Sequence, residues 1–152
     1  MSAAQGQAYA ARVAAVSALA KDYRDRPASI GGRDCVKAVV FTCRHRSVKL
    51  PTVRRLRYTS ERGAITALAR QGHASLIDAV DAQGFERIPL AMSWPGDLVA
   101  YPAPNYAPPF DVALYVIQYA GGSVVFGIDP VTKTFQSCEP KSEASIACWR
   151  VS

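Results

Sequence analysis

Cys35 stands directly after Asp34 in the stretch GGRDCVKAVVFTCRHR, residues 31–46. A thiol attacks as the thiolate, and the first turn of a helix favours that form, because its unpaired N–H groups and the helix dipole stabilise negative charge. If Asp34 caps a helix that opens at Cys35, the sulfur occupies such a terminus and needs an imidazole opposite it as base. Without that partner, Cys35 reads as a small core residue. The chain has two histidines. His45 lies about 15 Å further along a continuous helix, away from its N-terminus. His73 follows Gly72 at an expected helix end, where a surface capping role is anticipated.

The four cysteines, Cys35, Cys43, Cys138 and Cys148, contain no CxxC pair. On one helix Cys35 and Cys43 are about 12 Å apart along the axis, whereas two ligands of one metal need sulfurs within about 4 Å. A shared metal site is therefore not expected, and no cofactor is implied. Cys138 and Cys148 read as small buried strand residues.

The 152 residues fit one domain, and 49% hydrophobic against 20% charged residues indicates a packed core rather than disorder. No apolar run reaches the roughly 18 residues a spanning helix needs, and the N-terminal stretch lacks the basic lead of a signal peptide. The net charge of +6 is local: Arg44, Arg46, Lys49, Arg54, Arg55 and Arg57 lie between residues 44 and 58 with no acid among them. Such a strip suits an acidic partner surface. It lacks the interleaved aromatics that stack bases, so nucleic acid is not the expected partner.

The elements that must position Cys35 follow from periodicity. Residues 3–24 read as a helix with Val13, Val16, Leu19, Ala20 and Tyr23 on its apolar face. RPASIGG breaks it, and a second helix runs from Asp34 to KLP, with Val36, Val39, Val40 and Cys43 facing inward. Ser60 or Thr59 caps a third helix, with Ala64, Ile65, Leu68 and Ala69 repeating helically and Gly72 closing it. A shorter helix follows, ending in a turn at Gly84. After Pro89 the pattern changes to short β-branched and aromatic runs, DLVAYP, DVALYVIQYA, SVVFGID, TFQSC and ASIACWRV, separated by turn clusters. Helices first and strands afterwards define an α+β domain. The expected organisation is an N-terminal helix over 1–25 and the remaining domain over 26–152, forming one unit.

GGRDCV, WPGDLVAY and FDVALYV, in this order and spacing, resemble the NlpC-type branch of the papain-like cysteine peptidases, which shows a DC helix start, a GDL strand entry and a strand of the form His-Val-Gly-Ile-Tyr. More narrowly, YTSERGAITALARQG, AGGSVVFG and the closing CWRV are similar to a small phage-encoded family in that branch, found among tail genes. The resemblance covers roughly residues 20–152. It implies a papain-like fold, with N-terminal helices packed on a small antiparallel sheet or barrel, and makes Cys35 the counterpart of the nucleophile. Asp111 then falls where the catalytic histidine belongs, on a strand expected to face Cys35, and no histidine follows His73. The next strand offers no third polar residue at Phe126 or Gly127. An aspartate is a poor base at neutral pH, and its charge raises a neighbouring thiol pKa.

Gly96 and Asp97 read as turn formers, and Trp94 and Trp149 as packing residues. The expected function is structural: a phage tail or tail-tip component on a catalytically degenerate peptidase scaffold, made in the host cytoplasm and carried in the virion. Its expected partners are other tail proteins, met through the basic strip and the proline loop YPAPNYAPP, with peptidoglycan as the secondary candidate. The alternative is an active cysteine peptidase or amidase that cleaves host peptidoglycan during infection, and a polymer-binding module comes third.

Overall fold

The computed structural model describes residues 1–52, 56–106 and 110–152. Among the described residues four α-helices precede the sheet: α1 (Ala3–Tyr23), α2 (Cys35–His45), α3 (Glu61–Arg70) and α4 (Leu76–Asp81). The strands are β1 (Glu86–Arg87), β2 (Leu98–Pro102), β3 (Val112–Ile117), β4 (Val125–Ile128), β5 (Phe135–Cys138) and β6 (Ala147–Arg150). They form one six-stranded sheet in the order β1-β6-β2-β3-β4-β5, each neighbouring pair antiparallel. The α+β class and the five longer strands agree with the sequence pattern. β1 is too short for any period and lies in FERI, which periodicity groups with the preceding turn.

Each helix begins at a side-chain cap. Ser2, Asp34, Ser60 and Ser75 accept from the backbone N–H of Gln5, Lys37, Gly63 and Asp78 respectively, each satisfying a donor that the first turn leaves open. α2 ends before KLP, because Ser47 adopts a positive φ of 57° and turns the chain after Arg46.

The alternation of the strands divides the core in two. Leu98, Ala100, Leu114, Val116, Phe126, Phe135 and Trp149 meet α1 and α2 through Val16, Leu19, Tyr23, Val39 and Cys43. The opposite face gathers Val99, Tyr101, Tyr115, Ile117, Val125 and Cys148 into a second cluster. Phe126, Phe135 and Trp149 are fully buried; at about 25 cal/mol per Å² and roughly 150–250 Å² each, one such ring contributes on the order of 4–6 kcal/mol before chain entropy is counted. The Trp149 indole also donates to Asp81 Oδ1 at 2.8 Å, joining β6 to the end of α4.

Three positions of the expected helical faces, Val13, Ile65 and Ala69, are exposed instead. On α1 Val16, Leu19 and Tyr23 face inward as expected, and one turn earlier Arg12 is buried in place of Val13. Asp97 receives it: Arg12 Nη1 donates to Asp97 Oδ1 at 2.8 Å, and Arg12 Nη2 donates to the Val151 carbonyl at 2.7 Å. Asp97 also accepts from the backbone N–H of Trp94 and Val151. The GDL segment thus ties α1, the start of β2 and the last strand together. Gly96 turns at a φ of +85°, while Asp97, read from sequence as a turn former, is a fully buried ion-pair partner.

Candidate functional site

The glycines ahead of Cys35 have a structural task. Gly31 holds a φ of +80°, and a β-carbon there would lie 2.1 Å from the Tyr58 carbonyl oxygen. Only glycine lets the segment before α3 cross the head of α2 so closely. Asp34 fastens that crossing. Its Oδ1 accepts from Lys37 N–H at 2.8 Å; its Oδ2 accepts from Gly31 N–H at 2.9 Å and from the Tyr58 hydroxyl at 2.8 Å. Burial and the Asp34 carboxylate both push the Tyr58 hydroxyl pKa upward, so it stays a donor.

Cys35 opens α2 as the sequence suggests, and its sulfur lies where β3 and β4 separate. These strands pair at Val116↔Phe126 and Ile117↔Val125 and go no further, although β4 continues along β5 to Ile128↔Phe135. Continued register would set Leu114 opposite Ile128. Here the Leu114 backbone amide is near enough to the Cys35 sulfur to favour its thiolate, and the Ile128 carbonyl accepts from the Tyr115 hydroxyl at 2.9 Å. The phenol therefore serves a backbone carbonyl that the interrupted ladder leaves open.

The electrostatics hold this thiol neutral. Burial pushes Cys35 up to about 11, and the adjacent Asp34 charge adds to the rise; the backbone amides of Leu114, Val36 and Cys35 oppose it without prevailing. At pH 7 a group with that pKa is thiolate in roughly one molecule in 10⁴.

Asp111 immediately precedes β3, and its carbonyl accepts from Ala103 N–H at 2.7 Å. The carboxylate that acts on the sulfur is Asp34. By strand alternation Asp111 shares a face with Ala113 and Tyr115, whereas Val112 and Leu114 face the helices. His45 ends α2, far from its N-terminus. His73 is buried rather than a surface cap: its Nε2 lies 3.2 Å from Thr52 Oγ1, and its N–H closes α3 on the Leu68 carbonyl. Phe126 belongs to the core, and Gly127 lies beneath the Tyr115 ring.

The basic strip is not one surface. Arg44, Lys49 and Arg57 are exposed. Arg46 is half-buried and turns inward, its Nη1 donating to the Val151 carbonyl at 3.1 Å beside Gly96; it is a fold contact before it is a partner contact. Arg54 and Arg55 lie outside the described residues, as do residues 107–109 of the proline loop. The loop's Pro104, Asn105 and Tyr106 are exposed.

Sequence reasoning missed Tyr58 and Tyr115. Tyr58 lies far from Cys35 in the chain, and its only local signal is its place before the Ser60 cap. Tyr115 occupies an ordinary inward strand position, and Gly127 opposite it was the available sign of a large neighbour. All four cysteines are free thiols. Among the described residues no three or more His, Cys, Asp or Glu side chains are placed to hold a metal ion, and no helix is long and apolar enough to cross a membrane.

The fold class is thus an α+β domain in which a helix-capping Asp-Cys pair meets the third strand of a six-stranded antiparallel sheet. The family profile described as "Domain of unknown function (DUF6950)" matches residues 7–151, and the chain belongs to that family. No curated protein and no solved structure matches it.

Proposed function

We propose that this chain is a papain-like, NlpC-type domain whose peptidase chemistry has lapsed, and that it serves as a structural component of a phage tail or tail tip. One observation carries the reading: Cys35 sits at a helix N-terminus against a strand, as the resemblance implies, but the groups around it are those of a buried thiol. Its pKa is about 11, and Asp34 rather than a histidine is the charged neighbour. Tyr115 covers Gly127, one of the positions where the third polar residue would stand. A scaffold that has lost its base keeps its shape for assembly, because fold and activity are separable. In this reading the partners are neighbouring tail proteins, the exposed cations Arg44, Lys49 and Arg57 contribute contacts, and the protein resides in the virion after synthesis in the host cytoplasm.

The alternative is an active cysteine peptidase or amidase acting on peptidoglycan. It draws on the three backbone amides around the Cys35 sulfur, which favour thiolate. A muropeptide-release assay on wild type and Cys35→Ala separates the two. The structural reading expects no release from either, together with the chain in purified tails by mass spectrometry. Release by wild type that Cys35→Ala abolishes establishes the enzyme instead, and absence from tails removes the assembly role.

A further inference from the structure

We propose that Met92, Trp94, Tyr119 and Arg150 form a docking surface for an acidic protein segment anchored by an apolar side chain. The proposal takes the partner's source from the assembly reading above and its chemistry from this cluster alone.

Met92 and Tyr119 are each 59% exposed and Trp94 37% exposed, large apolar surfaces for a folded domain. They sit on neighbouring loops, since Gly121 N–H donates to the Ser93 carbonyl and a β-carbon at Gly122 would strike Leu90. Arg150 binds them together. Its Nη2 donates to the Met92 carbonyl at 2.6 Å, and its guanidinium lies 4.5 Å from the Trp94 ring centroid. Arg12 approaches the same ring at 5.5 Å, and Tyr9 meets it edge-on. Trp, Tyr and Arg on a supported platform are the residue types that dominate binding energy at protein interfaces.

Charge selects the partner. Arg12 and Arg150 both approach the Asp97 carboxylate, at 2.8 and 3.5 Å. Arg46 joins them at the Val151 carbonyl that Arg12 also binds. Three cations meet one carboxylate here, and with Glu86 counted, paired across from Arg150 on β1, the cluster keeps one positive charge in surplus. Burial holds the Arg46 pKa below its ordinary value, and repulsion from the neighbouring Arg12 charge lowers it further. An incoming carboxylate relieves that repulsion, and the half-buried setting of Arg150 limits screening by salt. A second copy of this chain would bring the same surplus into an isologous contact and be repelled. A nucleic acid needs a free aromatic face for its bases, whereas guanidinium groups already lie over Trp94.

The test selects binders from a random dodecapeptide display library on the immobilised full chain, then measures the enriched peptides by fluorescence titration. Expected peptides carry net negative charge and at least one Leu, Ile, Met or aromatic residue. Arg150→Gln and the exposed-site variant Met92→Glu should each weaken them at least about tenfold, with circular dichroism verifying the fold of each. Enrichment of neutral or basic peptides overturns the proposal. So does binding unchanged in folded Met92→Glu, a dT oligonucleotide that competes at lower concentration than the peptide, or self-association that Met92→Glu abolishes. Acidic peptides selected by a chain absent from tails would uphold this surface while removing the assembly reading.

Discussion

Tyr115 lies so close over Gly127 that a β-carbon at position 127 would fall 2.3 Å from the ring. The ring fills the space where β3 and β4 part, and its hydroxyl holds the Ile128 carbonyl. Gly127→Ala therefore forces the tyrosine out or shifts β4, at a cost of about 1–3 kcal/mol from overpacking. Tyr115→Leu removes the obstruction but forfeits the hydroxyl contact. The pair should be non-additive: in Tyr115→Leu, Gly127→Ala should cost much less than in wild type. Urea unfolding of the four proteins checks this, and additive losses would show that the cost at position 127 does not come from the ring.

Asp97 is the second structural centre. Asp97→Ala strands the buried Arg12 guanidinium and leaves the Trp94 and Val151 N–H groups without their acceptor. Breaking a buried pair from one side costs about 3–5 kcal/mol, a large share of a domain's stability. Arg12→Met should cost less, since Asp97 keeps both N–H donors and Arg150 at 3.5 Å. Equal midpoints for wild type and Asp97→Ala in thermal unfolding would refute the assignment.

The contrast between these two centres shows what the sequence could disclose. Asp34 and Ser60 announced their helices because a cap is a local device. β2 to β6 announced themselves because alternation and turn residues are local too. Arg12 bonding Asp97 and Val151, and Tyr58 bonding Asp34, span long stretches of chain and leave no periodic trace. On α1 the alanine-rich sequence gives so weak an apolar face that Val13 looked as good a core residue as its neighbours. Cys35 was legible as a helix-opening thiol. That its charged neighbour would be the capping Asp34 itself depends on how the 56–60 segment closes over it.

Asp81 provides a pH-dependent tie between α4, β1 and β6. The Arg87 hydrogen bonds lower its pKa most; burial opposes them, and the Trp149 indole donor and the Arg87 charge lower it further. A carboxylate whose folded pKa is depressed stabilises the fold above its unfolded pKa and loses that contribution as pH falls through the folded value. Wild type should therefore melt above Asp81→Asn at neutral pH, with the gap closing as pH drops below the ordinary carboxylate range. The gap should be modest because Asp81 and Arg87 are substantially exposed. Melting curves from pH 7 to 2 read it directly, and a gap that persists at pH 2 would assign the effect to packing.

Cys35 offers a test that distinguishes a buried thiol from a primed nucleophile without any substrate. With the pKa at about 11, roughly one molecule in a thousand carries the thiolate at pH 8, against about a quarter for an ordinary cysteine. Site-resolved alkylation by iodoacetamide, read by peptide mass spectrometry on the folded protein, should run at least about 100-fold slower at Cys35 than for free cysteine at pH 8. The rate should keep rising with pH well beyond 9. Asp34→Asn retains a capping acceptor but removes the charge that raises the thiol pKa, so its rate profile should move to lower pH. The sign follows from the carboxylate: it opposes a second negative charge, and its loss makes the thiolate easier to form. A wild-type rate already level below pH 8 would mean a stabilised thiolate at the head of α2, and would turn the reading of this domain from scaffold to enzyme.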